Sequence, residues 1–357
     1  MKSTFTMNYL PHADGIPINL LAGCFNRRST TYKFYWFLSL IQFVEQGKEK
    51  IEKKNLFAQM IANSWYTLNY FHISFGVQDK FQAAIRSIRE IEKINVQENT
   101  EVVFKKLIES KNRETQKFLR HFNINVPHKF LSPWISADNQ KVVYHFSQDF
   151  GNNCPYALFD DFVVINPKWR EYLKRNSKIL KDFCYWNLTL YLQARNPNVP
   201  DIANKLIKSP QRSPLNEQRK AFWNIVLEEK GKIKCIYTGN DLIIGDYVVE
   251  HFIPYSFVSH DLIWNLLPAD KSFNGSKGNK LPRLEKYFDA FYQIQKEAVE
   301  IVVRKTPKNK FLQEYLTIFP NVESAKDLPS VFDRVRFKEN FQSLVSIASN
   351  NGFMFLK

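Results

Sequence analysis

Glycine and cysteine are scarce in this chain. Eleven glycines among 357 residues, against 31 Phe, 16 Tyr and 7 Trp, argue against a loop-rich scaffold and for compact helical packing. The four cysteines, Cys24, Cys154, Cys184 and Cys235, form no C-x-x-C pair. That spacing argues against a disulfide framework and fits a reducing cytoplasm. Long apolar runs are missing too: the most apolar stretch, YWFLSLIQFV from Tyr35 to Val44, is too short to span a bilayer and contains Gln42. The start of the chain carries Lys2, Pro11, His12 and Asp14 where a signal peptide would need an apolar segment. We therefore expect a cytoplasmic protein that does not associate with membranes, and we find no internal repeat.

Negative charge is also in short supply. Fifty basic residues face 35 acidic ones, a net charge of +15. Such a balance favours polyanionic partners, because each phosphate neutralised by Lys or Arg releases counterions. The excess is uneven: residues 1–120 hold 18 basic against 11 acidic residues, and residues 121–230 hold 15 against 10. A nucleic-acid grip is thus expected mainly ahead of residue 231.

Hydrophobic periodicity divides the chain. A helix is expected in NRRSTTYKFYWFLSLIQFVEQ, capped by Ser29 or Thr30, with Phe34, Phe37, Leu38, Ile41 and Val44 at helical spacing. Further helical patterns cover about 53–71, 79–95 and 99–122. Residues 123–167 carry prolines and two β-rich runs, VVYHFS and FVVINP, so short strands are expected there. Pro167 suits a first helical position, and a helix from it to about Arg195 would put Lys174, Lys178 and Lys181 on one face able to track a phosphate backbone. The stretch 196–215, with Pro197, Pro200, Pro210 and Pro214, reads as a linker. The expected fold is α+β: a mainly helical region at 1–195 that binds substrate or a protein partner, the linker, a small mixed module at 216–286, and a helical segment at 287–357.

The chemistry concentrates in YVVEHFIPYSFVSHDLIWNLLPADKSFNGSKGNKLP, residues 247–282. The order reads strand, loop, strand, helix. A strand ends at His251, a group able to take a proton from water near neutral pH. Glu250, beside it, points to the opposite face of the strand. With the amide of Asn274 it would make an all-oxygen half-site suited to hydrated Mg²⁺. Asn265 would hold the histidine loop through backbone hydrogen bonds, and Lys277 would meet a neighbouring phosphate. Lys280 and Arg283 are further candidate phosphate contacts, whereas His260 and Asp261 read as a turn or capping pair.

The stretch resembles the HNH (ββα-metal) nuclease family, through Glu250-His251, Pro254, Asn265-Leu266, Asn274 and Lys277. The resemblance covers about fifty residues, from Cys235 to Arg283. It implies hydrolysis of DNA phosphodiester bonds with one divalent ion, Mg²⁺ or Mn²⁺, with His251 activating water, Asn265 positioning it, and Glu250 and Asn274 holding the metal. Family habits extend this to restriction or anti-phage defence.

Two departures stand out. The family usually has Asp where this chain has Glu250. Many members also carry two C-x-x-C pairs that bind structural zinc, but here the four positions read Cys235, Thr238, Asp270 and Phe273. No structural zinc is expected, and packing by Phe252, Trp264 and Phe273 would hold the module instead. Glu250 also motivates a different reading, a nucleic-acid-binding or assembly subunit with a weakened or silent HNH fold. RNA is an alternative substrate.

Overall fold

A computed structural model describes residues 10–26, 30–137, 139–207 and 214–357, together with the backbone but not the side chain of Asn274. The chain forms two compact units, one of residues 1–197 and 202–208, the other of residues 198–201 and 209–357. In the expected linker, Pro210 and its neighbours from 208 to 213 lie outside the described residues, as does the candidate cap Ser29. The α+β expectation holds: helices dominate both units, and the strands are short.

The first unit is built around the helix Tyr32–Glu45. Every residue from Phe34 to Ile41 is buried. A helix apolar on all sides belongs in the middle of a core, which is where the aromatic excess goes: Phe25 stacks on Phe34 at 4.9 Å and Phe37 on Phe130 at 5.6 Å between ring centroids. The helices Lys53–Asn69 and Ser177–Gln193 pack against it. A small antiparallel sheet with β1 (Lys50–Glu52), β2 (Tyr156–Leu158) and β3 (Phe162–Ile165) has β3 in its centre.

Three expectations need correction here. VVYHFS is not a strand. It lies in the helix Gln140–Gln148, because Asn139 caps the first turn by accepting from Lys141 N at 2.9 Å. The pattern at 99–122 is two helices, Thr100–Glu109 and Arg113–His121, the second capped by Asn112. The helix from Pro167 stops at Arg175, and a second begins at Ser177. Lys174 therefore sits on a different helix from Lys178 and Lys181. Lys174 and Lys178 are exposed, while Lys181 is ion-paired to Glu45 at 2.8 Å.

Lys53, where β1 runs into its helix, is buried and donates to Tyr144 Oη at 2.6 Å and to the Asp160 carbonyl at 3.1 Å. Burial lowers its ammonium to about 8, against a smaller opposing pull from Asp160 and Asp161. In the unfolded chain a lysine titrates near ~10.4. Between about pH 8 and 10 the unfolded state therefore binds more protons at this group, and the contribution of Lys53 to native stability rises with pH. Urea titrations at pH 7.5 and 9.5 should show the wild type gaining stability relative to Lys53→Met as the pH rises.

The second unit holds the motif. The hairpin of β4 (Ile233–Lys234) and β5 (Asp241–Leu242) precedes β6 (Val248–His251), which pairs antiparallel with β7 (Leu266–Ala269) in the register His251↔Leu266 and Glu250↔Leu267. Pro268 is tolerated in β7 because a two-stranded sheet has only edge strands. The helix Lys271–Lys277, here called the site helix, follows, and Gly278 ends it with φ +49°, a left-handed cap position that glycine adopts without penalty.

The helices Leu284–Lys305 and Arg334–Asn350 share one continuous core with this ββα motif. Phe252, one residue past the candidate base, stacks face to face on Phe291 at 4.0 Å and meets the edge of Phe341 at 5.5 Å. Trp264 packs edge-on to Phe341 at 5.6 Å. Gln295, fully buried, donates to the Leu266 carbonyl at 2.6 Å and accepts from Tyr315 Oη, so it satisfies a backbone group at the start of β7.

Candidate functional site

His251 is the last residue of β6. The backbone just beyond it is fixed by Asn265, in the turn before β7. Asn265 Oδ1 accepts from Ile253 N at 2.8 Å, Asn265 Nδ2 donates to Ile253 O at 2.9 Å, and the Asn265 carbonyl accepts from Phe252 N at 2.7 Å. Both Asn265 and Ile253 are fully buried. A side-chain amide offers a donor and an acceptor in the spacing of a peptide group, so it extends the ladder past the end of the paired strands.

The imidazole has a partner that sequence reasoning passed over. His251 Nε2 lies 2.9 Å from Asp261 Oδ1 and 3.3 Å from the His260 carbonyl. Both are acceptors, so Nε2 carries a proton. His260 and Asp261, read from sequence as a turn pair, thus contribute to fixing the ring. No periodicity marks an acid ten residues downstream in a loop, and only the return of the chain towards β7 brings it there. The ring of Tyr255 approaches His251 edge-on at 5.6 Å, and the imidazole is fully covered. Glu314 supports the same loop by accepting from Ile263 N at 2.5 Å; burial raises its carboxyl above the usual range, with Asp261 adding to the effect.

Glu250 faces the other side of β6, towards the site helix, and its Oε1 lies 3.1 Å from Lys277 Nζ. The Glu250 side chain is 6% exposed and that of Lys277 0%. Lys277, placed by the sequence among phosphate contacts, is therefore an internal partner of the candidate metal ligand in this structure. Asn274, three residues earlier on the same helix, shares its face; its side chain lies outside the described residues. The Tyr237 hydroxyl, electrostatically coupled to Glu250, is buried with no hydrogen-bond partner among the described residues. Lys280 and Arg283 are exposed, and Arg283 donates to the Leu356 carbonyl at 3.2 Å.

Of the positions Cys235, Thr238, Asp270 and Phe273, Thr238 and Asp270 meet directly. Asn240 donates to Asp270 Oδ2 at 2.7 Å and Thr238 lies 3.4 Å from the same oxygen. Tyr237 stacks on Phe273 at 4.5 Å, and Cys235 is buried. The Asp270 carboxyl is lowered to about 2, chiefly by the Asn240 and Ser272 side chains and the Ser272 backbone. A hydrogen bond and a ring stack thus tie the β4–β5 turn to the start of the site helix.

Among the described residues no three His, Cys, Asp or Glu side chains gather as a metal cluster. Hydrated Mg²⁺ needs fewer protein ligands, keeping several waters on one or two carboxylates. One such carboxylate is present, Glu250, which already holds a cationic group.

Two strands and a helix that present a histidine on one face of a strand and a carboxylate on the other define a ββα nuclease module. Residues 235–283 match the HNH endonuclease family model, and members of that family typically depend on a divalent metal. No curated protein and no solved structure matches the chain. No described helix is long and apolar enough to cross a membrane.

Proposed function

We propose that the chain is a metal-dependent endonuclease that hydrolyses DNA phosphodiester bonds. The observation that carries this reading is His251, held at a strand end by the Asn265 clamp and by Asp261 at 2.9 Å. With Nε2 committed to Asp261, Nδ1 takes the proton of the attacking water, and the carboxylate stabilises the imidazolium that forms. Glu250 and Asn274 would hold Mg²⁺ or Mn²⁺, which supplies charge stabilisation at the phosphate and the leaving oxygen. The exposed Lys174, Lys178, Lys280 and Arg283, together with the basic excess ahead of residue 231, support binding of the phosphate backbone.

A second reading, an assembly or nucleic-acid-binding subunit with a silent HNH fold, is favoured by the covered imidazole and the buried Glu250–Lys277 pair. Supercoiled plasmid and a labelled RNA, each incubated with Mg²⁺, Mn²⁺ or EDTA, separate the readings. Nicking of plasmid that needs both metal and His251 supports the nuclease. Cleavage of RNA alone reassigns the substrate, and inert wild-type protein in every metal supports the silent fold. Asp261→Ala should lower kcat by roughly tenfold to a hundredfold with KM little changed, because it releases the ring without touching bound substrate.

A further inference from the structure

We propose that Lys277 is an internal cation that holds Glu250 in the metal-free protein and is exchanged for the divalent ion when the site is loaded. The inference rests on the reading of Glu250 as a metal ligand. Its basis is the ion pair at 3.1 Å, in which both side chains are almost wholly removed from solvent. A buried carboxylate needs a counter-charge, and the site helix supplies one from within the chain.

One carboxylate cannot neutralise both an ammonium and a divalent ion. With Glu250 at −1, Lys277 at +1 and an added +2, these three groups alone would sum to +2. Among the described residues no three His, Cys, Asp or Glu side chains gather there as a metal cluster. Repulsion between the two cations in a low-dielectric site makes their occupancies mutually exclusive. Two other observations fit an exchange. The paired state leaves the buried Tyr237 hydroxyl, which interacts electrostatically with Glu250, without a hydrogen bond among the described residues. Lys277 is also the last residue of the site helix, followed by Gly278 in the left-handed region, so moving its side chain displaces the helix end rather than its middle.

Metal affinity would then be a difference between two competitors for one carboxylate, set low by design of the chain, and the covered state would be the inert one. The test measures Mn²⁺ binding to the full chain without DNA, by electron paramagnetic resonance of the free ion, for the wild type, Lys277→Met and Glu250→Gln. Lys277→Met should bind Mn²⁺ about tenfold more tightly, with a lower melting temperature without metal and a larger rise on adding it. Glu250→Gln should lose the site. Equal or weaker binding by Lys277→Met, with Glu250→Gln still defective, overturns the exchange and leaves Glu250 as a ligand. Unchanged binding by Glu250→Gln, or no binding by any form, overturns both. Should Lys277→Met not fold, acetylation of the wild type read by mass spectrometry decides: Lys277 should be protected without metal and become reactive as Mg²⁺ saturates the site, and reactivity independent of bound Mg²⁺ overturns the proposal.

Discussion

His251→Ala should lower the single-turnover rate of plasmid nicking by about 10²- to 10⁴-fold, the range spanned by a lost general base, while the protein still binds DNA. The imidazole's described hydrogen bonds run to Asp261 Oδ1 at 2.9 Å and the His260 carbonyl at 3.3 Å, neither of which belongs to the strand pairing or the Asn265 clamp, so its loss leaves both in place. Binding measured by filter retention should therefore be close to that of the wild type. An imidazole that merely filled space would give a different pattern: His251→Ala would lower the melting temperature and leave the rate within a few-fold. A rate lost together with DNA binding would place His251 in the binding surface and remove it from the proton transfer.

The largest effect on stability should come from Asn265→Ala. The substitution strands Ile253 N and Ile253 O, both satisfied by the Asn265 side chain at 2.8 and 2.9 Å in a fully buried setting. A buried polar group left without a partner costs roughly 1–3 kcal/mol, so two of them give about 2–6 kcal/mol, before any relaxation. Urea unfolding followed by tryptophan fluorescence would measure it. Where the variant remains folded, the rate should also fall, because the residues after His251 lose the clamp that sets the ring's direction. A loss below about 1 kcal/mol would mean that water replaces the amide at Ile253.

Much of the site was legible because its parts lie within about thirty residues, where spacing along the chain still encodes geometry. Glu250 and His251 alternate across a strand as adjacent residues must, and Asn274 and Lys277 share a helical face three residues apart. What spacing cannot encode is burial. Lys277 reads as a surface charge because helix periodicity alone does not say which neighbour covers it, and its cover is Glu250 from another element. Asp261 was missed for a related reason: its role depends on a loop returning to a strand end, and a turn-forming pair has the same residue types. In the first unit, VVYHFS carries β-branched residues, yet a capping asparagine and the burial of Val143 favour a helix. The break at Asn176 also carries no proline or glycine to announce it. The α+β class was readable from composition and periodicity, because helical patterns recur along most of the chain.

The stack of Phe252 on Phe291 sets the span of the family match apart from the span of the folded core. The family signature spans 49 residues, 235–283, whereas the core that supports it runs from Phe222 to Leu356. Transplanting the signature alone would leave the face beneath the histidine open to water. A graft of the module onto another protein must therefore carry the two long helices that follow it.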